Sequence, residues 1–356
     1  VKRAAIAAVP LAAVLLCLAL GAGAATEAEV VDLAKQAAGA SAPAREALER
    51  LAGEGDALAA HYLGRLYLDG KGVPQSEARA VEWFRKSADG GRADSAHNLG
   101  VLYERSRGPL KDLAEARRWY RIAAEQGNGP SQANLGAMLM EGAGGPANLD
   151  EARSWIEKSA AQGVPRGQYL LGVLTLDARA GIAHNMDEAA RLIRLAALGG
   201  DRDAQYRLAL LHGTGQGVAR SDKLALDWLR KAARQRQADA QYLLAAVYMQ
   251  GKYGVERDEK QGVEWLRRAA LNGNLDAAYE LGIAYAEGRG VPRDGSESYG
   301  WMLLAARGGH AQAMAFVREI QRARTPVQPP AMLPDAAPGP RPEAPSEAPA
   351  DEEWKP

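Results

Sequence analysis

Cysteine is nearly missing from this chain: its 356 residues include a single one, Cys17, inside an apolar run near the start. Removal of that run leaves no thiol for a disulfide, a nucleophile or a cysteine-based metal site. Phenylalanine is almost as scarce, with two residues. No charge of one sign dominates, since 44 Lys and Arg face 44 Asp and Glu. That balance removes the bulk electrostatic case for nucleic acid as a partner. The five histidines include no pair at the i, i+4 spacing of a helical zinc site, and no HExxH occurs. Neither a metal nor another cofactor is expected. The stretch Gly213-Thr214-Gly215-Gln216-Gly217 has the glycines of a phosphate loop, but no strand pattern precedes it and no Gly-Lys-Ser/Thr follows.

The two ends differ from the middle. Lys2 and Arg3 precede an apolar run from Ala4 to Leu20, and the small residues Gly21 to Ala25 follow. This is the layout of a secretory signal peptide over residues 1–25, cut after Ala24 or Ala25. It predicts a periplasmic or secreted protein with no membrane span once the signal is removed. The alternatives are an uncleaved membrane anchor and a lipidated Cys17; Leu16 stands where a lipoprotein site wants a small residue. Residues 325–356 hold ten of the 18 prolines mixed with Ala, Glu and Asp, a composition that predicts a disordered tail. Trp354 is the one large aromatic in it.

Between the ends the sequence repeats itself. Trp83, Trp119, Trp155, Trp228, Trp265 and Trp301, with Leu192 in the single gap, recur every 36 or 37 residues. Leu63, Leu99, Leu135, Leu171, Leu208, Leu244 and Leu281 recur in step, each followed by Gly or Ala and preceded at four residues by a small side chain. Small residues at that spacing share one helical stripe and admit a close neighbour. This is the first helix of each unit, and glycines such as Gly70, Gly142, Gly215, Gly251 and Gly288 follow it, suited to a left-handed C-terminal cap. Seven residues before each Trp position stands Ser76, Asp112, Asn148, Asn185, Ser221, Asp258 or Asp294, all favoured N-caps. Glu115, Glu151, Glu188, Gln261 and Glu297 complete capping-box patterns. The second helix ends at Gly91, Gly127, Gly163, Gly200, Gly273 or Gly309 in six copies. Seven helical hairpins therefore span 56–309, with residues 26–55 as an N-terminal helical cap, Ala44 to Gly55 reading as a lone second helix, and residues 310–324 as a C-terminal capping helix.

The pattern A-x-x-x-L-G-x-x-Y, a G-x-G-V turn as in Gly70-Lys71-Gly72-Val73, D-x-x-x-A-x-x-W and A-A-x-x-G resembles the Sel1-like repeat, a relative of the tetratricopeptide repeat. The resemblance implies an all-α fold: a right-handed α-solenoid of helix-turn-helix Sel1-like repeats with first helices lining the concave side. It also implies a protein–protein interaction scaffold, since relatives act in signalling, cell-envelope assembly and polysaccharide export. Some cysteine-rich relatives are described as β-lactam hydrolases. This chain lacks their cysteine pairs and shows no nucleophile–base set, so an enzyme is not expected.

Two candidate surfaces follow. Gln132, Gln168, Gln205 and Gln241 form an uncharged polar column on consecutive first helices, suited to the backbone of an extended protein or peptide partner. Arg85, Arg121, Arg194, Arg230 and Arg267 stand two residues after the Trp positions. They form an alternative face for an anionic exopolysaccharide, or else a solvated set of cations near helix C-termini. His61 and His97 replace Tyr169, Tyr206, Tyr242 and Tyr279 in one column and read as packing residues. Trp155 and its counterparts read as buried core.

Overall fold

The structure, a computed structural model, describes residues 25–106 and 108–324. The sequence-based readings on residues 1–24 and 325–356, Cys17 and Trp354 included, lie outside the described residues. Within them the fold is all-α. A hairpin of α1 (Glu27–Ala38) and α2 (Ala42–Gly53) precedes the array. The repeats pair α3 (Ala57–Asp69) with α4 (Glu77–Asp89), α5 (Ala93–Arg105) with α6 (Leu113–Glu125), and α7 (Gly129–Glu141) with α8 (Leu149–Ala161). They continue as α9 (Pro165–Leu176) with α10 (Met186–Leu198), α11 (Arg202–Thr214) with α12 (Asp222–Arg234), and α13 (Ala238–Gln250) with α14 (Glu259–Leu271). The last pair is α15 (Leu275–Glu287) with α16 (Gly295–Arg307), and α17 (Ala311–Arg324) follows as a lone first helix. No helix among the described residues is long and apolar enough to cross a membrane.

The N-terminal cap departs from the sequence reading. It is a full hairpin, not a lone second helix. α1 lacks the Leu-Gly pair that marks the other first helices, but Val30, Leu33, Ala34 and Ala37 recur at one-face helical spacing and are buried. Thr26 caps it, and Glu29 returns the bond to the Thr26 backbone at 2.8 Å.

Local signals set the other boundaries. Each expected N-cap of a second helix accepts a backbone N–H from the first turn, as Asn148 does from Glu151 and Asp294 from Glu297. The five first-helix glycines, Gly70 to Gly288, are left-handed caps. The capping-box glutamates do something different from the expected reciprocal bond. Glu115, Glu151 and Glu297 accept the indole N–H of Trp119, Trp155 and Trp301, one turn on, at 3.1, 3.3 and 3.0 Å. A cation also lies over several rings of the tryptophan column, with Lys231 4.0 Å from the Trp228 centroid and Lys158 4.2 Å from that of Trp155.

These tryptophans are therefore mostly a sealed outer layer. Trp119 is buried, but Trp83, Trp155, Trp228, Trp265 and Trp301 are half-buried, which corrects the reading of Trp155 as core. The core column is the next residue along: Phe84, Tyr120, Ile156, Ile193, Leu229, Leu266 and Met302, none more than 2% exposed. It packs on the Gly or Ala that follows the first-helix leucine. A Cβ built on Gly64 would stand 2.6 Å from the Phe84 ring, and one on Gly100 2.5 Å from the Tyr120 ring. Where the facing residue shrinks to Leu229 or Leu266, the first helix carries Ala209 or Ala245. At these contacts a smaller side chain on one helix meets a larger one on the other, while Ile156, Ile193 and Met302 keep Gly136, Gly172 and Gly282 opposite them.

Stacking between repeats uses the inter-helix turn. Gly144 approaches the start of α6 so closely that a Cβ would fall 2.1 Å from the Leu113 carbonyl oxygen, and Gly290 repeats this against Glu259 at 2.4 Å. Both have positive φ, so glycine is required there twice over. The first helix α9 touches both α7 and α11 directly, while second helices pack on the first helices flanking them. First helices thus form the inner side of a right-handed solenoid.

The steric pairing of Gly64 with Phe84 is testable. Gly64→Ala should destabilise by about 1–3 kcal/mol through overpacking. Adding Phe84→Leu, which recreates the Ala–Leu pairing of the fifth and sixth repeats, should recover part of that loss. Denaturant titration of the single and double variants reads the coupling; strictly additive losses would refute a direct steric pairing.

Candidate functional site

The surface left open by the first helices is set by what the helices must bury. Seen from the column leucine, the small residue four before it and the Gly or Ala after it face the stack and are buried. The residues two and five before the leucine fall on the opposite side. In the later repeats these are Tyr169, Tyr206, Tyr242 and Tyr279, all half-buried, and Arg166, Asp203, Asp239 and Asp276. Apolar Val173, Leu210, Ala246 and Ile283, also half-buried, continue the face.

Charges tie this face together across repeats. Arg166 pairs with Asp203 at 2.6 Å. Elsewhere the N-cap of a repeat donates back to the carboxylate of the one before: Asn274 Nδ2 to Asp239 at 2.8 Å, and Asn128 Nδ2 to Asp94 at 3.2 Å. His310 stands 3.3 Å from Asp276. Burial, and then the carboxylate of the following repeat, pushes the Tyr169 and Tyr206 hydroxyls above their usual range, with Asp203 and Asp239 as the carboxylates concerned. At Tyr242 burial is followed by Glu280 and Asp276. Each ring therefore sits in the negative field of its neighbour.

The glutamine column is differently placed from what its sequence pattern suggested. Gln132, Gln205 and Gln241 are 4, 6 and 3% exposed. Their amides donate to the Ala124, Ala197 and Ala233 carbonyls, in the last turn of the preceding second helix, at 3.1, 3.2 and 2.9 Å. Their oxygens accept from Gln162, Gln235 and Asn272 at 2.8, 2.9 and 2.8 Å. Last-turn carbonyls have no partner within their own helix, so these glutamines cap a neighbouring repeat from outside. They are inter-repeat joints. Gln168 shares the column and is half-buried.

The arginine column is also engaged. Arg85, Arg230 and Arg267 donate to the hydroxyls of Tyr103, Tyr248 and Tyr285 in the next first helix at 2.8, 3.3 and 2.6 Å. Where that tyrosine is replaced by Leu139, Arg121 turns to Glu151 instead. Arg194, opposite His212 in the same register, is exposed. Sequence reading missed this pairing, although an Arg followed at 18 residues by Tyr in three copies carries it.

The two histidines of the tyrosine column are packing groups with a defined network. Ser87 donates to the Ala57 carbonyl at 2.6 Å and Ser95 donates to Ser87 at 2.7 Å. With the Ser95 proton committed, the 2.8 Å contact to His61 Nδ1 requires the imidazole to donate there. His97 Nδ1 shares a hydrogen bond of 2.8 Å with the Ser131 hydroxyl in the equivalent position. Burial, assisted by Arg92, lowers the His61 pKa to about 4, and burial lowers that of His97. Among the described residues no group of His, Cys, Asp and Glu is placed to hold a metal ion.

An unbroken stack of helical hairpins with one polar-aromatic inner face defines a helical-repeat scaffold. The chain belongs to the Sel1 repeat family, whose model matches residues 57–91, 93–128, 129–164, 165–201, 202–236, 238–274 and 275–310. It is similar to a Sel1 repeat protein from Oxalobacter formigenes, with 30% identity, 70% of this chain and 99% of that one covered, and a TM-score of 0.57. It is also similar to a protective antigen of uropathogenic Escherichia coli with the same repeat fold. There the identity is 32% and the TM-score 0.51, with 79% of this chain covered; the match spans 60% of the E. coli chain. No curated protein matches significantly. The Sel1 repeat fold is typical of scaffolds that bind other proteins.

Two outcomes follow. Gln205→Ala removes one bond from the Ala197 carbonyl, which keeps the Gly200 N–H, and one from the Gln235 amide, which keeps the Gly200 carbonyl, and should cost about 0.5–1.5 kcal/mol per lost bond in thermal or denaturant unfolding; a neutral result would show that the joint is not a joint. The second concerns pH. The unfolded His61 takes up a proton near its ordinary 6.5, while the folded one resists until about 4. Its contribution to stability is therefore whole above about pH 6.5 and is lost as the pH falls toward 4. His61→Gln should flatten that part of the melting-temperature profile, and an unchanged profile would refute it.

Proposed function

We propose that this protein is an exported scaffold of the cell envelope that holds a partner protein on its inner face. The observation that carries this reading is the inner face itself. It presents half-buried tyrosines, carboxylates and short apolar side chains continuously from α9 to α15, on a frame whose joints are buried and hydrogen-bonded. A preorganised surface of this kind binds an extended chain with little ordering cost of its own. The outer arginines, engaged with tyrosines and Glu151, do not favour the anionic polysaccharide. Export rests on the basic, apolar and small-residue succession of residues 1–25, and Thr26 caps the first helix directly after it.

A photo-crosslinking residue at Leu210, on the inner face, should capture a discrete protein in cells, whereas one at the exposed Lys223 should not. The reverse pattern would move the binding surface to the outside. N-terminal sequencing of the mature chain should begin at Ala25 or Thr26, and a start at lipidated Cys17 would replace soluble export with anchoring.

A further inference from the structure

The second helices turn one side outward, opposite the core residue that follows each tryptophan position. On that side, in the last turn, stand the residues three and six after the tryptophan position. In the last four repeats these positions are all exposed and hold only leucine and basic residues. The leucines are Leu195 and Leu198 on α10, Leu271 on α14 and Leu304 on α16, exposed by 39, 67, 69 and 42%. The basic residues are Lys231 and Arg234 on α12, Arg268 on α14 and Arg307 on α16. The first three repeats have Lys86 with Asp89, Ile122 with Glu125 and Lys158 with Ala161 there. Four of the seven large apolar side chains exposed among the described residues thus gather on one edge.

Stability does not account for this set. The dipole at a helix C-terminus favours cations, but it gives no reason for leucines facing water. Lys231 and Arg268 lie over Trp228 and Trp265, 4.0 and 4.8 Å from the ring centroids. Arg234 and Arg307 make no hydrogen bond or ion pair among the described residues. The turns after α10, α12 and α14 are fastened to one another, since Gln235 donates to the Gly200 carbonyl at 3.0 Å and Arg236 Nε to Asn272 Oδ1 at 3.2 Å. The edge is therefore continuous there. A cavity of about 440 Å³ between these turns is lined by Arg202 and Arg236, among others, with its one carboxylate, Asp203, already paired with Arg166. Acidic residues flank the edge without entering it. Asp227 and Glu264 stand one turn earlier on the outward side. Asp239 and Asp276 begin the next first helices, where Asn274 and His310 meet them.

We propose that this edge rests on the surface of an anionic phospholipid bilayer. Leu198 and Leu271 enter the boundary between headgroups and acyl chains, and Arg234 and Arg307 meet the phosphates beside them. The interleaving of leucine with cations favours a bilayer over a protein partner. A fluid interface admits apolar side chains singly and surrounds each with phosphates, whereas a protein would need a separate pocket for each leucine. The contact is peripheral: the side chains that make it belong to helix ends, and no described helix is long and apolar enough to cross. The inner face takes no part, so the inference stands or falls apart from what that face binds.

The test is flotation with vesicles of phosphatidylcholine alone and of phosphatidylcholine mixed with phosphatidylglycerol. It uses the chain from Thr26 onward, which keeps every described helix and omits the apolar run from Ala4 to Leu20, a lipid-binding stretch in its own right. The protein should float with the mixed vesicles and not with the neutral ones, and less of it as salt rises. Leu198→Gln with Leu271→Gln, and separately Arg234→Gln with Arg307→Gln, should each weaken the partition at least about tenfold. Such exposed substitutions leave the melting temperature nearly unchanged. Leu113→Gln with Leu149→Gln, at the opposite ends of α6 and α8, should float as the parent does. Equal flotation with both vesicles, flotation with neither, or undiminished flotation of the folded Leu198 and Leu271 variant would overturn the proposal. Binding of soluble polyglutamate as tightly as of the mixed vesicles, with no loss in that variant, would assign the edge to an acidic polypeptide and overturn it as well.

Discussion

A helical repeat of this kind has no closed core, and each unit persists only if its two helices come close enough to share one. The approach is limited at one point, where the residue after the first-helix leucine meets the residue after the tryptophan. Phe84 and Tyr120 are met by glycine, while Leu229 and Leu266 are met by alanine. Interiors are packed too densely to absorb an extra methyl group freely, so this contact sets the spacing of the hairpin. The spacing in turn places the second helix for the next first helix, and so determines where the inner face lies.

The polar groups follow from that spacing. Helices this close in a stack of short elements leave last-turn carbonyls near the following first helix, out of reach of much water. Gln132, Gln205 and Gln241 meet that need, and their own oxygens are satisfied by Gln162, Gln235 and Asn272. The Arg85–Tyr103, Arg230–Tyr248 and Arg267–Tyr285 bonds do the same job beyond the tryptophan layer. One copy shows the tension. Arg236 stands where six copies have glycine, and it adopts φ 60, a conformation costly to any residue with a Cβ. Stacking overrides local preference there.

The fold was legible in the sequence because each boundary has a local cause. N-cap side chains and left-handed glycines act within a few residues of themselves, so a column of them can be read from one chain. The site was less legible. A column of glutamines looks the same whether its amides face solvent or a neighbour's carbonyl, and only packing distinguishes the two. Tryptophan drew attention by its rarity, although the variable residue beside it, Phe84 through Met302, fills the core. Variability concealed that column, because the Gly or Ala it packs on lies in another helix. The Tyr169–Asp203 relation likewise spans a repeat boundary and shows itself only when the register between repeats is known.

The inner face changes character along the array for a reason of the same kind. The residue two before the leucine shares a register with the small residue four before the leucine of the next repeat, and in the first two pairs the two side chains are in contact. The pairs run His61 with Ser95, His97 with Ser131, Ala133 with Gly167, then Tyr169 with Ala204, Tyr206 with Ala240, Tyr242 with Ala277 and Tyr279 with Ala313. Ser95 and Ser131 engage the imidazoles of His61 and His97 by hydrogen bond; His61 is buried and His97 half-buried. An alanine offers no such bond, and the tyrosine beside it remains half-buried with part of its ring accessible. The third repeat, with alanine facing glycine, separates the two regimes. The exchange of histidine with serine for tyrosine with alanine thus replaces a hydrogen bond between repeats by an aromatic side chain on the inner face. The tyrosine column is consequently confined to the later repeats, while in the first two the same position helps to hold the stack.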